Sequence, residues 1–242
     1  MSAVTAALTL LAGNAWASGG RQWGYSGAIA PEHWGSLDPA YILCATGMNQ
    51  SPINLTDCIE AELEPIKFQY SGLVTEIVHN GHTIQAKYTA GSTISLNGHT
   101  FALKRFHFHT PSEHLLNGEQ FPLEAQFVHA DPDGNLAVIA VLYSLGEENA
   151  ELEKIWRQMP AETGRGAGMS SQVRADDLMP ENKEYYRFNG SLTTPPCTEG
   201  VLWLVMKHSV PVSEAQVKQL ADALQYPNNR PVQPINARPI LQ

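Results

Sequence analysis

The sequence predicts an α+β fold, mainly β, in which a single domain is built on a large, mostly antiparallel, twisted sheet with short helices at its periphery. Three observations predict it. The 242 residues fit one domain, since sheet-rich domains of about 200–250 residues are common. Short strand-like segments separated by Gly, Pro and Asn recur along the chain. Only two segments have the periodicity of a helix.

The predicted strands are short runs rich in β-branched and aromatic residues, each bounded by turn-forming residues. Because strands outnumber helices, we expect one mainly antiparallel sheet. In chain order the strands lie at 75–78, 83–88, 93–96, 106–109, 123–128, 136–143 and 201–207.

Two helices are predicted at the periphery of this sheet. The first, at 147–156, places its apolar residues on one face. The second, at 213–224, opens with Ser213 and Gln216 in the spacing of a capping box. The polar stretch at 160–184 is interrupted by glycines, and we expect it to be a long surface loop.

Charge and the first residues limit the classes of function. A formal net charge of −9 argues against a nucleic-acid partner, because phosphate binding needs a basic surface. Residues 3–11 form an apolar run that is too short to span a membrane, and 15–17 has the small-x-small pattern of a cleavage site. We therefore predict a signal peptide at 1–17, a mature domain at 18–242, no membrane span, and a periplasmic or secreted location. A disordered apolar tail is the alternative interpretation.

The cysteine count fits an oxidising compartment only in part. Of the three cysteines, Cys44, Cys58 and Cys197, two can pair and one is left over. None belongs to a C-x-x-C pattern, so a cysteine-based zinc site is not expected. The residues alone do not choose the pair.

The segment at 106–109, Phe-His-Phe-His, carries the clearest chemical signal. On a strand, residues two apart project to the same face, so His107 and His109 point one way and the two phenylalanines point the other. Neutral imidazole nitrogen is a favoured zinc ligand, so this pair predicts a platform for the metal. Two polar histidines with ordinary hydrogen-bond partners are the alternative.

The turn at Asn117-Gly118 predicts what lies opposite the two histidines, because this dipeptide is the strongest short signal of a type I′ hairpin. With pairing counted from the turn and no bulge, His109 faces Gln126 and His107 faces Val128. Parity adds two carboxylates to the same face. The residues predicted to converge on one surface are His107, His109, Gln126, Glu113 and Glu124.

Eight short segments stand out as motifs along the chain, at 23–25, 31–35, 50–54, 106–109, 112–114, 124–129, 191–196 and 228–233. In order, they resemble the motifs of the alpha class of carbonic anhydrases, in particular its secreted or periplasmic bacterial members. The resemblance runs from about residue 22 to the end of the chain. It implies the fold of that family and the reversible hydration of carbon dioxide to bicarbonate and a proton by zinc-bound hydroxide.

The resemblance implies a Zn²⁺ cofactor bound through His107 and His109, with Gln126 standing where the family has its third histidine ligand. Glu124 matches the carboxylate that orients this third ligand, a role in which hydrogen bonding fixes the ligand and tunes the metal. Asn228 and Arg105 fall among the groups that surround the ligands.

The resemblance also implies the catalytic residues. Thr193 matches the residue that accepts the proton of the bound hydroxide, and Glu113 matches the residue that orients the Thr193 hydroxyl group. His82 matches the proton shuttle, and its ordinary pKa of about 6.5 suits transfer near neutral pH. The pocket for carbon dioxide is implied to consist of Val128, Val138, Leu192, Thr194, Val201 and Trp203.

Outside the site, the resemblance implies a disulfide between Cys44 and Cys197, which leaves Cys58 unpaired. The expected partners are the small molecules carbon dioxide and bicarbonate, with no nucleic acid. The protein is expected to be a monomer or a homodimer.

Three residues depart from the family pattern. Gln126 brings an amide oxygen, a weaker zinc donor than imidazole, but it is neutral and can still donate an N–H to Glu124. Arg105 stands where the family has a glutamine that accepts from the first ligand, and arginine has no acceptor and carries a positive charge. Phe188, in place of a tyrosine, removes one hydroxyl group.

Two functions therefore compete. One is an active carbonic anhydrase; the other is a catalytically silent, carbonic-anhydrase-related binding protein with weak or no zinc. The Glu113–Thr193 pair, the apolar pocket and His82 favour the enzyme, because a silent protein has no physical need for them. A zinc-dependent esterase is the third class, and it is weaker because Thr193 has no general-base partner in its motif.

Overall fold

The computed structural model of the protein describes residues 21–242, so the predicted signal peptide at 1–17 lies outside the described residues. The strands are β1 (Asn54–Leu55), β2 (Lys67–Gln69), β3 (Val74–His79), β4 (Ile84–Tyr88), β5 (Thr93–Leu96), β6 (His99–His109), β7 (Leu115–Leu116), β8 (Glu119–Gln120), β9 (Leu123–Ala130), β10 (Leu136–Leu145), β11 (Gly166–Gly168), β12 (Tyr185–Ser191), β13 (Glu199–Met206) and β14 (Val210–Val212). The α-helices are α1 (Trp34–Leu37), α2 (Leu43–Thr46), α3 (Ala150–Trp156) and α4 (Glu214–Leu224), and 3-10 helices lie at Gly27–Ile29, Pro31–His33, Pro39–Tyr41 and Ala175–Leu178. Across 21–242, none of the helices has the length and apolar character needed to cross a membrane.

One large sheet of eleven strands organises the described chain, and its central path runs β11-β3-β4-β6-β9-β10-β13-β12. Beside this path β14 pairs with β10, and β5 pairs with both β2 and β6, whereas β1, β7 and β8 form a small separate sheet. Most neighbours are antiparallel, but β10 pairs in parallel with β13 and β14. The predicted α+β class, mainly β with a mostly antiparallel sheet and short helices, is confirmed.

The central strands β6 and β9 separate two packed faces, because side chains alternate across a strand. On one face Phe106, Phe108 and Phe127 are fully buried in the larger core cluster, which also contains the apolar side chains of α3 and α4. Trp156 of α3 packs on Phe108 with ring centroids 4.8 Å apart. Its indole N–H donates to the carbonyl oxygen of Gln216 in α4 at 3.0 Å. This face is closed by helices, which leaves the opposite face for the histidines.

All seven predicted strands are present, and several are longer than predicted. β6 begins at His99 rather than at 106, because a tight turn at Asn97 and Gly98, with φ of 50° and 78°, pairs its first half with β5. β12 is absent from the prediction, since Arg187 and Asn189 interrupt its apolar pattern. The remaining strands that were not predicted have two or three residues each, too few for a pattern to stand out.

Both predicted helices are present, and a capping residue sets where each begins. α3 begins at Ala150 rather than at 147, because the Asn149 side chain accepts two backbone N–H groups of the first turn at 3.1 and 3.0 Å. α4 follows Ser213, whose hydroxyl accepts the backbone N–H of Gln216 at 3.3 Å while the Gln216 side chain accepts the N–H of Ser213. The predicted capping box is confirmed.

The prediction of a plain surface loop at 160–184 is wrong in part. This segment contains β11, which pairs with β3, and a 3-10 helix. Val173, Ala175 and Leu178 are fully buried in the larger core cluster. A few apolar residues set without periodicity among glycines and polar residues give no sequence signal of burial.

The hairpin at Asn117-Gly118 is confirmed, since both residues have positive φ, 50° and 83°, as a type I′ turn requires. The register extrapolated from it is wrong. Between the hairpin and the main pairing of β6 with β9, five residues, 110–114, lie opposite three residues, 121–123. This irregularity shifts the pairing by two positions.

The shift changes the cross-strand partners of the histidines but not the face on which they lie. His107 faces Gln126 rather than Val128, and His109 faces Glu124 rather than Gln126. Because the side-chain period of a strand is two residues, a shift of two restores the same face. The residues predicted to form the cluster therefore still lie on one face, although the predicted register is wrong.

A disulfide bond ties the start of the described chain to the segment after β12. Cys44 and Cys197 form it, with Cα atoms 5.0 Å apart, as the resemblance implies. Gln50 adds a hydrogen bond to the carbonyl oxygen of Cys197 at 3.0 Å. Cys58 carries the free thiol, and burial raises its pKa.

Candidate metal centre

His109 presents a bare nitrogen lone pair to the interior of the cluster. Its side chain is 1% exposed, and its Nδ1 lies 2.7 Å from the backbone oxygen of Asn228. A carbonyl oxygen only accepts, so Nδ1 carries the proton and Nε2 is left as an acceptor. Within residues 21–242 this buried Nε2 has no hydrogen-bond partner. A buried lone pair without a donor is the arrangement that a metal ligand requires.

His107 lies beside it on β6, with the two imidazole centroids 5.0 Å apart. Burial holds the pKa of His107 well below its usual range, and the neighbouring His109 and Arg105 lower it further, whereas a hydrogen bond with Gln126 opposes them. The ring is therefore neutral, the form that binds metal. Its Nδ1 is buried without a partner in the described chain, as expected where Arg105 replaces an acceptor.

Gln126 is oriented by two carboxylates. Its Nε2 donates to Glu113 Oε2 at 2.8 Å and to Glu124 Oε1 at 2.9 Å. Gln126 lies directly across from His107 on the neighbouring strand, and its side chain raises the pKa of His107 against the effect of burial. Because both amide hydrogens are directed at carboxylates, the group that faces the imidazole is the amide oxygen.

Glu124 is the fully buried anchor of this network. Its Oε2 accepts the backbone N–H groups of Glu113 and His114 at 2.8 and 2.9 Å, and its Oε1 accepts from His114 Nδ1 at 2.9 Å. Burial alone would raise the pKa of Glu124, but His114 and His109 and these hydrogen bonds outweigh it and lower the pKa to about 2. Sequence reasoning left His114 without a functional role, although it belongs to the 112–114 motif that carries the family resemblance.

Glu113 is 1% exposed and bonded on both oxygens. Besides accepting from Gln126, it accepts the backbone N–H of Arg230 on Oε1 at 2.9 Å, and its Oε2 lies 3.4 Å from His109 Nε2. Among the hydrogen bonds of the described chain, none joins Glu113 to Thr193, which is itself buried at 4% exposure. The predicted pairing of these two residues is therefore not what the geometry displays.

Arg230 is not among the site residues predicted from the sequence, yet it holds Glu113 in place. Its guanidinium is buried, and it donates to Gln50 Oε1 and to the Ser51 and Cys44 carbonyl oxygens at 2.9, 2.7 and 2.8 Å. Burial lowers the pKa of Arg230 to about 10, against the opposing effect of Glu113. The arginine is thus charged at neutral pH, and its main chain holds the carboxylate in place.

Asn228 connects β6 to neighbouring segments through hydrogen bonds of both its backbone and its side chain. Its backbone oxygen holds His109, and its side chain accepts from the Thr110 N–H at 2.8 Å and donates to the carbonyl oxygens of Phe108 and His82 at 2.9 and 3.0 Å. It therefore joins the end of β6 to the turn that carries the predicted shuttle.

His82 is stacked on Trp23, with ring centroids 3.8 Å apart and planes at 11°. Burial lowers its pKa from the ordinary value. Its Nδ1 is buried and has no hydrogen-bond partner within 21–242. Trp23 belongs to the N-terminal motif of the family resemblance, but no pattern in the sequence pairs it with His82, 59 positions away.

Arg105 shares the face of His107 and lies in register with Val128 of β9 and Lys87 of β4. Burial lowers the pKa of Arg105. The guanidinium is a positive charge close to His107, and it lowers the pKa of that ring. The same charge opposes the binding of a cation, as the sequence predicts.

An apolar wall lies next to the metal-site residues on the same face of the sheet. Val138 of β10 is the cross-strand neighbour of Val128 on one side and of Trp203 on the other. These three, with Leu192 and Val201, belong to one buried cluster. Thr194, which the resemblance assigns to the same pocket, is only half-buried.

The donor set fits a divalent metal of zinc type by its chemistry. No group of three or more His, Cys, Asp or Glu side chains in the described chain is arranged to hold a metal ion. The cluster instead offers two imidazoles and one amide oxygen, and the buried Nε2 of His109, which has no hydrogen-bond partner in the described chain, is the observation that favours a metal.

Comparisons with known proteins give the family. A family model described as eukaryotic-type carbonic anhydrase matches residues 29–242. Proteins named carbonic anhydrase from Pectobacterium atrosepticum and Neisseria gonorrhoeae are 43% and 46% identical, over 93% and 91% of this chain and 92% and 87% of their own. A solved alpha-carbonic anhydrase from Thermovibrio ammonificans, in complex with sulfanilamide, superposes with a TM-score of 0.90 at 47% identity, over 93% of this chain and all of the other. The chain therefore belongs to the eukaryotic-type, or alpha, carbonic anhydrase family.

Proposed function

We propose that this enzyme hydrates carbon dioxide reversibly with a Zn²⁺ ion held by His107, His109 and Gln126. The observation that carries the proposal is that His109 Nε2 is buried without a hydrogen-bond partner in the described chain, while two carboxylates bind the amide nitrogen of Gln126 and so fix the orientation of its carboxamide. A zinc ion bound there would act as a Lewis acid and lower the pKa of a bound water to about 7. All three donors are neutral, so none cancels the charge that this effect requires.

The apolar wall receives the substrate. Carbon dioxide is uncharged, so Val128, Val138 and Trp203 can hold it next to the metal-site residues without a charged group. Thr193 supplies a hydroxyl group that accepts a hydrogen bond from the attacking oxygen and so aims its lone pair at the substrate carbon.

His82 carries the released proton to solvent. The low pKa of its half-buried ring leaves the imidazole neutral at pH 7, ready to accept a proton. Its stacking on Trp23 limits the positions that the ring takes. The imidazole of His82 would accept the proton released in the hydration and pass it on to buffer.

The test of the proposal combines metal content with stopped-flow hydration of carbon dioxide. Zinc-loaded protein should be active, dialysis against a zinc chelator should abolish activity, and added zinc should restore it. A protein that holds no zinc and shows no hydration with excess zinc would instead be the silent binding protein, in which the charge of Arg105 outweighs the three donors.

Replacing the shuttle gives a further prediction. His82→Ala should slow turnover by about 100-fold, the lower end of the usual effect of a positioned proton carrier. Imidazole buffer should restore part of the rate. His99→Ala removes an exposed histidine at the far end of β6 and is the matched control. Equal rates for His82→Ala and the unmodified enzyme would remove His82 as the shuttle.

A further inference from the structure

We propose that Glu113 is a positioning residue for Gln126: together with Glu124 it fixes the carboxamide so that the amide oxygen, not the amide nitrogen, is presented to the two imidazoles. This inference rests on the proposed function, because it concerns the third metal ligand. It gives Glu113 a partner different from the threonine hydroxyl that the family resemblance implies.

A carboxamide needs such a device because its two ends are nearly alike in shape. Rotation by 180° would exchange the oxygen and the nitrogen within the same volume. In the flipped state the Gln126 oxygen would lie where Nε2 now lies, 2.8 Å from Glu113 Oε2 and 2.9 Å from Glu124 Oε1. Three acceptors would then meet without a proton, and the NH₂ group, which cannot bind a cation, would face His107.

The two carboxylates can impose this choice because each is held independently of Gln126. Glu124 accepts two backbone N–H groups and the His114 ring. Glu113 accepts the backbone N–H of Arg230 on its other oxygen. With side chains fully buried, neither has room to follow a rotating amide.

The need for a second carboxylate is specific to glutamine. An imidazole that binds a metal through one nitrogen has only one N–H to donate, and one carboxylate satisfies it. A carboxamide has two N–H groups, and both are satisfied here. The contribution of Glu113 to metal binding should therefore depend on which residue occupies position 126.

A double-mutant cycle on zinc affinity tests this dependence, with the dissociation constant measured against a competing chelator. Glu113→Gln should weaken zinc binding by about 10- to 100-fold when residue 126 is glutamine, the effect usual for an outer partner of a ligand. In the Gln126→His background the same change should cost less than about 3-fold. Equal losses in both backgrounds would overturn the proposal. Glu119→Gln, which makes the same change at an exposed position of β8, is the matched control and should leave affinity unchanged.

A second measurement needs no metal. In NMR spectra of the zinc-free protein both side-chain amide protons of Gln126 should be protected from exchange, and Glu113→Gln should expose one of them. Glu113→Asp, which retains the charge but withdraws the oxygen, should do the same and replaces Glu113→Gln if that variant does not fold. Unchanged protection in a folded variant would also overturn the proposal. An unmodified protein that binds no zinc would overturn the proposed function, while the NMR result still decides whether Glu113 orients the amide.

Discussion

Gln126→Ala should lower the affinity of the protein for zinc by more than about 100-fold, because the loss of a ligand should exceed the 10- to 100-fold cost of losing an outer partner. Alanine removes the amide oxygen and leaves Glu113 and Glu124 without the donor that they share. Two imidazoles then remain as protein ligands, fewer than zinc sites use. The dissociation constant at fixed pH, from competition with a chromophoric chelator, measures the effect.

Gln126→His gives the opposite expectation at the same position. Imidazole is a better zinc donor than an amide oxygen, and its second nitrogen can donate to Glu124 as the carboxamide does now. Affinity should rise by about 10-fold or more. Gln69→Ala, at an exposed position of β2, controls for general effects of replacing glutamine. If neither variant at 126 changed the affinity, the amide would not be a ligand.

The residues of the candidate metal centre could be predicted from the sequence because their placement on one face depends on parity alone. His107, His109 and Gln126 lie on neighbouring strands, and the side-chain alternation of a strand assigns each to a face whether or not the register is right. The shift between 110–114 and 121–123 escaped prediction, since an irregular segment outside the ladder leaves no periodic signal. The shift is an even number of positions, two, and this kept the predicted residues on one face.

The hydrogen-bond partners within the cluster could not be predicted in the same way. Parity places Glu113 on the correct side but does not say whether its carboxylate meets Thr193 or Gln126; the contact with Gln126 depends on how Arg230, 117 residues away, holds the other oxygen. The stacking of His82 on Trp23 is equally non-local. Burial of Val173 and Leu178 within an irregular segment likewise follows from tertiary packing alone.

Acid should destabilise the zinc-free protein between pH 6.5 and 3 partly through His129, on the helix-covered face of β9. This ring is completely buried, and its Nε2 lies 2.6 Å from the Tyr70 hydroxyl. Burial lowers the pKa of His129 to about 3, against smaller opposing effects from the Phe127 and Ala137 backbones. Burial also raises the pKa of Tyr70 well above its usual value, so the phenol remains protonated.

The sign of the effect follows from proton binding in the two states. In an unfolded chain a histidine binds its proton below a pH of about 6.5, whereas folded His129 does not until the pH reaches about 3. As the pH is lowered from about 6.5 to about 3, the unfolded state therefore gains a proton that the folded state does not bind. Through this group alone, the free energy of unfolding falls by about 1.4 kcal/mol for each pH unit of acidification. His129→Gln, which retains a hydrogen-bonding group for Tyr70 but does not titrate, should reduce the slope of stability against pH by that amount.

Urea unfolding of the unmodified protein and of His129→Gln from pH 5 to 8 measures the difference between their slopes of stability against pH. The disulfide is kept intact and a chelator is present. Glu124, whose pKa is lowered to about 2, contributes stability that is lost only as the pH falls from about 4.5. The interval between pH 5 and 6.5 is therefore free of its titration. His107 and His82 contribute slope equally in both proteins, so the difference between the variants isolates His129. Between pH 7 and 8 the two slopes should coincide, and parallel curves below pH 6.5 would mean that His129 is protonated in the folded state.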